Sequence, residues 1–423
     1  MPDETATKND DLITEEVQGH VEKLINELGI TNHTINISPG SIHGDNYLGI
    51  IAKVTVNGED KNGENKVLHF IVKSAPRNEV FRSIAPIRKA YDREIYMYSK
   101  VFPEFAKLQE ERGILKPFKS TAKFYKSTME NANEALIMED MKELGFELRD
   151  RHEPLNYNHV LLVMREYGKY HALSYALRDQ KPEIFQEIFD NAQEMFFSSY
   201  NQSDIADKAA KEHFERALKA FDPVKDKIAY DRFKKFQDNM QETVKNLLQS
   251  ESAGKYAVIG HGDSWVNNML FKYDSTSRPH SPSEVCLLDW QLARAGSPAL
   301  DLAYFIFACT DKPLRDQYYD HLIQEYYESL SSFLRELGSD PDKLLPFKVL
   351  QEHLKKFCVF GMYMAVMVLY VMNSEVEEIP DIHKMTDLEE CMEEWRYETK
   401  NIQKYYERIR GVILDFIKFG YEF

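Results

Sequence analysis

The segment His261-Gly262-Asp263 is followed, five positions after its aspartate, by Asn268. A carboxylate in such a loop can accept the proton of a hydroxyl group, and an amide oxygen beside it can bind Mg²⁺. The spacing H-x-D-x-x-x-x-N supplies both groups from one loop, which favours phosphoryl transfer. The alternative is a glycine-containing turn that the Asp and Asn side chains cap, which is common in loops.

A second carboxylate, Asp289, ends the apolar run Val285–Leu288 and follows Asn268 by 21 residues. The run predicts a buried strand. In kinases, an acidic residue at the end of a neighbouring strand is the second Mg²⁺ ligand. The alternative role for Asp289 is to cap the turn that follows.

Lys73 and Glu94 could together hold the phosphates of a nucleotide. Lys73 ends an apolar strand, where a kinase lysine contacts the α- and β-phosphates. Its expected partner is Glu94, in the middle of the helix predicted at Pro86–Val101, whereas Glu79 precedes that helix. A lysine at a strand end is otherwise an ordinary solvated residue.

The segment 38–49, directly before the first predicted strand, is rich in small residues, among them Gly40, Ser41, Gly44 and Asn46. Such residues allow backbone N–H groups to turn toward phosphates. The loop lacks the G-x-G-x-x-G spacing of protein kinases, so by itself it indicates an ordinary connecting loop, with phosphate binding as the alternative.

The elements that must position these residues fall into two parts. Before residue 139, the apolar spacing predicts a small α+β unit, in which the helix Pro86–Val101 lies between two pairs of strands. The strands are predicted at Leu48–Val56, Lys66–Lys73, Thr121–Lys126 and Ala135–Met138, after a first helix over residues 17–28. Helices are predicted at Tyr157–Leu177, Ile184–Tyr200, Lys208–Phe221, Asp231–Leu248 and beyond Ala299, with a β-rich insert at 256–291.

Composition excludes several classes of protein. The 423 residues carry a formal charge of −16, which argues against binding nucleic acid through its phosphates. Apolar residues make up 43% of the chain, so global disorder is excluded. The four cysteines form no C-x-x-C pair, and neither a zinc site nor a disulfide framework is indicated.

The ends of the chain and its most apolar stretch predict a cytoplasmic protein that does not cross a membrane. Residues 1–17 are polar and predict a flexible, solvated tail without the features of a secretion signal. The longest apolar run, Phe357–Met372, is shorter than the roughly 20 residues of a membrane span, so a buried helix is the expectation.

These motifs together resemble the aminoglycoside phosphotransferase and choline kinase branch of the protein kinase-like fold. The closer resemblance is to the ecdysteroid kinase-like family. The residues that carry it are His261-Gly-Asp263-x-Trp265-x-x-Asn268, Leu288-Asp289-Trp290-Gln291, Gly296-Ser-Pro298-Ala-Leu-Asp301-Leu-Ala-Tyr304, Gly44-Asp45-Asn46-Tyr47 and Met138-Glu139-Asp140. The resemblance implies an α+β bilobal fold, with an N-lobe at 18–138, a hinge at 139–141 and a helical C-lobe at 142–423.

The same resemblance implies a role for each candidate residue. Asp263 would be the catalytic base, Asn268 and Asp289 would bind Mg²⁺, and Lys73 with Glu94 would hold the phosphates of ATP. Other expected ATP contacts are Gly40, Ser41, Gly44 and Asn46 over the phosphates and the backbone of Glu139 and Met141 at adenine. Structural support is expected from His261, His171 and Asp301.

The family implies phosphorylation of a hydroxyl group on a small lipophilic molecule such as an ecdysteroid. A protein substrate is disfavoured, because no Ala-Pro-Glu activation segment follows Asp289. No nucleic acid, membrane or obligate protein partner is expected. Hydroxylated xenobiotics are an alternative class of acceptor, and a non-catalytic protein that binds a lipophilic ligand is an alternative function.

Overall fold

The computed structural model describes residues 12–41, 49–200, 204–274, 279–381 and 396–423, together with 386, 387, 389, 393 and 394. The N-terminal strands are β1 (Thr31–Pro39), β2 (Ile50–Glu59), β3 (Asn65–Ser74), β4 (Phe124–Thr128) and β5 (Ala135–Glu139). They form one antiparallel sheet in the order β1-β2-β3-β5-β4. The predicted hairpin is confirmed, because β2 pairs with β3 and Ile51 lies opposite Lys73.

The two faces of this sheet have different partners. Helix α1 (Glu15–Glu27) packs on one face, where Val54 and Val72 are fully buried. Successive residues of a strand point to opposite faces. Ile51, Ile71 and Lys73 therefore lie on the other face, which forms the roof of a cleft.

The N-terminal segment contributes to this packing. Thr14 caps α1 by accepting a hydrogen bond from the backbone of Val17 at 3.2 Å. Leu12, Ile13 and Val17 are all buried against the sheet. The predicted solvated tail is therefore wrong for residues 12–17, since three of these six residues are apolar and bury their side chains in the same core cluster as the sheet. Residues 1–11 lie outside the described residues.

Strand β1 was not predicted, because its nine residues include only two large apolar side chains, Ile35 and Ile37. It forms nevertheless, since it pairs with β2 from Thr31 to Pro39. The long loop predicted between β2 and β3 is shorter than expected, because Asn57 and Gly58 extend β2 rather than form the turn.

The helix predicted at Pro86–Val101 begins at Ile87 and continues further along the chain than expected. Helix α2 (Glu79–Ile84) is a separate helix that precedes this stretch. The stretch itself comprises α3 (Ile87–Tyr96), a π-helical turn (Met97–Val101) and α4 (Phe102–Glu111). Arg93 in α3 is buried and donates hydrogen bonds to the carbonyls of Ala293 and Gln193. This helix is thereby attached to the C-terminal part of the chain.

The C-terminal part is mainly helical. Its helices are α5 (Tyr157–Gln180), α6 (Pro182–Asn191), α7 (Phe196–Tyr200), α8 (Asp204–Leu218), α9 (Lys227–Leu248), α10 (Pro298–Cys309), α11 (Lys312–Glu336), α12 (Pro341–Leu344), α13 (Phe347–Met372) and α14 (Ile402–Phe419). The single helix predicted at Ile184–Tyr200 is divided into α6 and α7 by non-helical residues 192–195. Helix α10 is buried on every side and packs along α13.

Five short strands lie between the sheet and these helices. Strands β6 (Phe146–Leu148), β8 (Met269–Lys272) and β9 (Glu284–Leu287) form one small sheet, and β7 (Val258–Gly260) pairs with β10 (Arg294–Gly296). The loop 261–268 leaves β7 and enters β8, while the segment 288–293 connects β9 to β10. Because β7 pairs with β10 and β8 pairs with β9, the loop 261–268 and the segment 288–293 lie side by side.

Helix α13 contains the apolar run noted in the sequence. The helical stretch Pro341–Met372 has the length and composition to cross a membrane, but 72% of its most apolar window is buried inside the protein. Gly361, in the middle of α13, allows close contact with α10, because an added Cβ would lie 2.5 Å from the backbone of Ala303.

Substitution of Gly361 by alanine should lower the free energy of unfolding by about 1–3 kcal/mol, because the new methyl group would push α13 away from α10. The matched control is Gly19→Ala in α1, where nothing lies within 4 Å of the added Cβ. That variant should gain roughly 0.5–1 kcal/mol from helix propensity. Chemical denaturation measures both, and equal effects would contradict the close contact between α10 and α13.

Candidate active site

Lys73 is buried between two carboxylates. Its Nζ lies 2.7 Å from Glu94 Oε2 and 2.8 Å from Asp289 Oδ1, and only 3% of its side chain is exposed. Burial lowers the pKa of Lys73, but the two negative charges outweigh it and raise that pKa above its ordinary value. Lys73 is therefore a cation at neutral pH, and the structure brings it together with the partner expected from the sequence.

Asp289 adopts an unusual backbone conformation, with a φ of 62°. Few non-glycine residues occupy this left-handed region, and such strain often marks a functional site. The turn directs the carboxylate toward Lys73 and the backbone N–H of Trp290 toward Glu94 Oε1, at 3.2 Å. Glu94 therefore contacts both the lysine and the segment that carries Asp289.

The loop 261–268 has a conformation that requires glycine at position 262. Gly262 has a φ of 86°, and an added Cβ would lie 1.9 Å from the carbonyl oxygen of Leu292. His261 precedes it and is buried, which lowers the pKa of its imidazole. The neutral ring accepts from the N–H of Asp263 at 3.2 Å and donates to the carbonyl of Leu288 at 2.9 Å. His261 thus joins this loop to the segment before Asp289.

Asp263 receives a hydrogen bond on each oxygen of its carboxylate. Tyr304 donates its hydroxyl to Oδ1 at 2.9 Å, and Asn268 donates Nδ2 to Oδ2 at 2.8 Å. Burial and the charge of Asp289 raise the pKa of Asp263 to about 6, against the effect of these hydrogen bonds. The carboxylate is therefore a stronger base than an ordinary aspartate and remains largely ionised at pH 7.

Asp301, in the first turn of α10, supports this loop from below. Its Oδ2 accepts from the N–H of His261 at 2.7 Å and from His171 Nε2 at 3.1 Å, and its Oδ1 accepts from the N–H of Gly262 at 2.8 Å and from Ser264 Oγ at 3.2 Å. Burial opposes its ionisation, but the hydrogen bond and charge of His171 lower the pKa of Asp301 to about 2. Four donors thus converge on one buried anion.

The cleft beneath the sheet is lined by most of the residues predicted to bind the nucleotide. Its walls include Lys73, Glu94, Asn268 and Asp289, together with apolar side chains from both parts of the chain. Gly40, Ser41, Glu139 and Met141 also line it. Gly44 and Asn46 lie outside the described residues.

Residues 43–339 match the sequence model of a known family. The chain belongs to the ecdysteroid kinase-like family. Membership supports a small-molecule kinase as the class of activity, and the predicted α+β protein kinase-like fold is confirmed. No curated protein matches the chain.

Solved structures of aminoglycoside phosphotransferases are similar to this family member over most of their length. The GDP complex of wild-type aminoglycoside 2'-phosphotransferase-IIIa is 11% identical, with a TM-score of 0.42, and the match covers 94% of this chain and 98% of that one. A complex with GDP and kanamycin is 10% identical, with a TM-score of 0.41 and coverage of 94% and 99%.

Oxygen atoms suited to Mg²⁺ converge in the cleft of this kinase-like protein. Asn268 uses Nδ2 to hold Asp263, so its Oδ1 could serve as a neutral oxygen ligand, and the Asp289 carboxylate could serve as an anionic one. The described residues contain no cluster of three His, Cys, Asp or Glu side chains that could hold a metal ion by themselves. A site of this kind fits a metal ion that the phosphates of a nucleotide help to bind.

Two contacts at the site were not predicted from the sequence. Lys142 donates from Nζ to the carbonyl of Gly40 at 3.1 Å and connects the residues after β5 to the segment that follows β1. Tyr304 contacts Asp263 directly. The sequence contained one signal for the Tyr304 contact. Asp301 and Tyr304 are three residues apart in one helix and therefore share a helix face, so both could face the loop 261–268.

Replacement of Asp301 by asparagine should reduce the free energy of unfolding by about 3–5 kcal/mol. An amide has only one acceptor oxygen, so in either orientation its NH₂ group would face two of the four donors. Ser264→Ala, which removes one donor and leaves the anion, should cost about 1 kcal/mol. Chemical denaturation of both variants tests this, and equal losses would show that Asp301 does not act as the common acceptor.

Proposed function

We propose that this protein is an ATP- and Mg²⁺-dependent kinase that phosphorylates a hydroxyl group of a lipophilic small molecule, namely an ecdysteroid or a related steroid. The observation that carries this proposal is the continuous set of contacts around one cleft. Buried Lys73 forms ion pairs with both Glu94 and Asp289, and Asn268 donates a hydrogen bond to Asp263.

The nucleotide would lie in the cleft beneath the sheet. Ile51, Ile71 and Met138 would supply apolar walls for a purine, and residues 139–141 also line the cleft. Lys73 would hold the phosphates, and Asp289 and Asn268 would hold Mg²⁺. A bound Mg²⁺ would neutralise the charge of the phosphates during the transfer.

Asp263 would act as the base in the transfer. The acceptor hydroxyl gives its proton to the carboxylate while its oxygen forms a bond to the γ-phosphorus. The bond between that phosphorus and the bridging oxygen breaks, and ADP leaves with the electron pair. The acceptor becomes a phosphate monoester, and the proton on Asp263 is released to solvent after the transfer.

The proposal of an acceptor with a large apolar body rests on membership of the ecdysteroid kinase-like family. Beside Asp263, Tyr304 lies against Phe360, and Phe360 contacts Phe197 with a centroid separation of 5.9 Å, but all three side chains are buried in the core. Hydroxylated xenobiotics are the second class of acceptor to test. We also propose a cytoplasmic location and the division into lobes at residues 139–141.

Asp263→Asn should reduce turnover by about 10²–10⁴-fold, because the amide cannot accept the proton of the hydroxyl group. The measurement is ADP release, with mass spectrometry of the phosphorylated product, on a panel of hydroxylated steroids and xenobiotics. The control is Asp311→Asn, a helix cap outside the cleft. If wild type forms no product from any acceptor but binds them, the chain is a binding protein rather than a kinase.

ATP with Mg²⁺ should raise the melting temperature. At a ligand concentration of 100 times Kd, binding should raise the free energy of unfolding by about 2.7 kcal/mol. Asp289→Asn should keep a shift with ATP alone and lose the additional shift that Mg²⁺ produces, because it removes the anionic oxygen ligand. Differential scanning fluorimetry with ATP, Mg²⁺ and both together measures the three conditions. An unchanged Mg²⁺ increment in the variant would exclude Asp289 as a ligand.

A further inference from the structure

We infer that Tyr304 is a positioning residue that fixes the orientation of the Asp263 carboxylate toward the acceptor. This inference rests on the proposed function, in which Asp263 is the base. Helix α10 would then hold both the backbone of the loop, through Asp301, and the carboxylate of Asp263, through Tyr304.

Donors on different oxygens prevent the carboxylate of Asp263 from turning. Tyr304 holds Oδ1 at 2.9 Å and Asn268 holds Oδ2 at 2.8 Å, and the side chain of Trp265 also forms a hydrogen bond to this carboxylate. Without Tyr304, the carboxylate would lose its donor from α10 and could rotate about its Cβ–Cγ bond toward the donors that remain. An ionised carboxylate has about four lone-pair positions, so both oxygens retain room for a further donor such as the acceptor hydroxyl.

Tyr304 can define a direction because it is itself immobile. Only 1% of the residue is exposed, and its ring makes an edge contact with Phe360 at a centroid distance of 6.2 Å. It follows Asp301 by three residues in α10, where Asp301 accepts from the N–H groups of His261 and Gly262. One helical turn therefore holds both the backbone of the loop and the side chain of its base.

Packing alone does not account for a tyrosine at this position. A phenylalanine would keep the ring contact with Phe360, whereas the hydroxyl of Tyr304 is directed at Asp263. Burial and the charge of Asp263 raise the pKa of Tyr304 well above its ordinary value. The hydroxyl thus keeps its proton at neutral pH and acts as a donor to the carboxylate.

The test compares Tyr304→Phe with Tyr319→Phe. Tyr319 is also buried, and its hydroxyl contacts Tyr421 at 2.8 Å in a different part of the core. Tyr304→Phe should lower kcat by about 10–100-fold, since misplacement of a reacting group by about 1 Å has an effect of this size. The KM for ATP should stay within about twofold, and Tyr319→Phe should change neither constant.

Crystal structures of wild type and Tyr304→Phe give a readout that does not depend on turnover. The carboxylate of Asp263 should have one orientation in wild type and a rotated or divided one in the variant. An unchanged orientation in the variant overturns the inference, whether or not the enzyme is active, as does an unchanged kcat. Absence of turnover in wild type would instead contradict the proposed function, and the two crystal structures would still decide the role of Tyr304.

Discussion

A buried ammonium group shared by two carboxylates links the two parts of this protein. Lys73 belongs to the central strand of the sheet, Glu94 to the helix beside it, and Asp289 to the C-terminal part. A buried charge is tolerated only when it is paired, so these three elements must keep their relative positions. The left-handed backbone at Asp289 and the attachment of Arg93 to the carbonyls of Ala293 and Gln193 both serve this arrangement.

Helix α10 positions the loop that contains Asp263 through a buried anion, as Lys73 links the two parts of the protein through a buried cation. Asp301 is a buried anion, and its four donors come from the loop that contains Asp263 and from His171 in α5. Because α10 is buried on every side and packs against α13, it has little freedom to move. The loop therefore takes its position from the core of the C-terminal part rather than from contacts of its own.

The charged groups of the site are paired within the protein. Asp289 and Glu94 both contact Lys73, while Asp263 is held by Tyr304 and Asn268. Behind Tyr304, the buried rings of Phe360 and Phe197 pack together, and the guanidinium of buried Arg294 lies 5.0 Å from the centre of the Phe360 ring. Burial of these groups fixes the position of the Asp263 carboxylate, because each of them is held by the core.

The sequence by itself determined the residue types at the site, the hairpin of β2 and β3 and the helical C-terminal part, because motif spacing and apolar periodicity are local properties. It also indicated Glu94 as the partner of Lys73. Burial of Leu12, Ile13 and Val17 and the presence of β1 depended on packing or pairing with distant segments, which local patterns do not contain. The contacts of Tyr304 with Asp263 and of Lys142 with Gly40 were likewise decided by the tertiary structure, since each joins groups at least 40 residues apart.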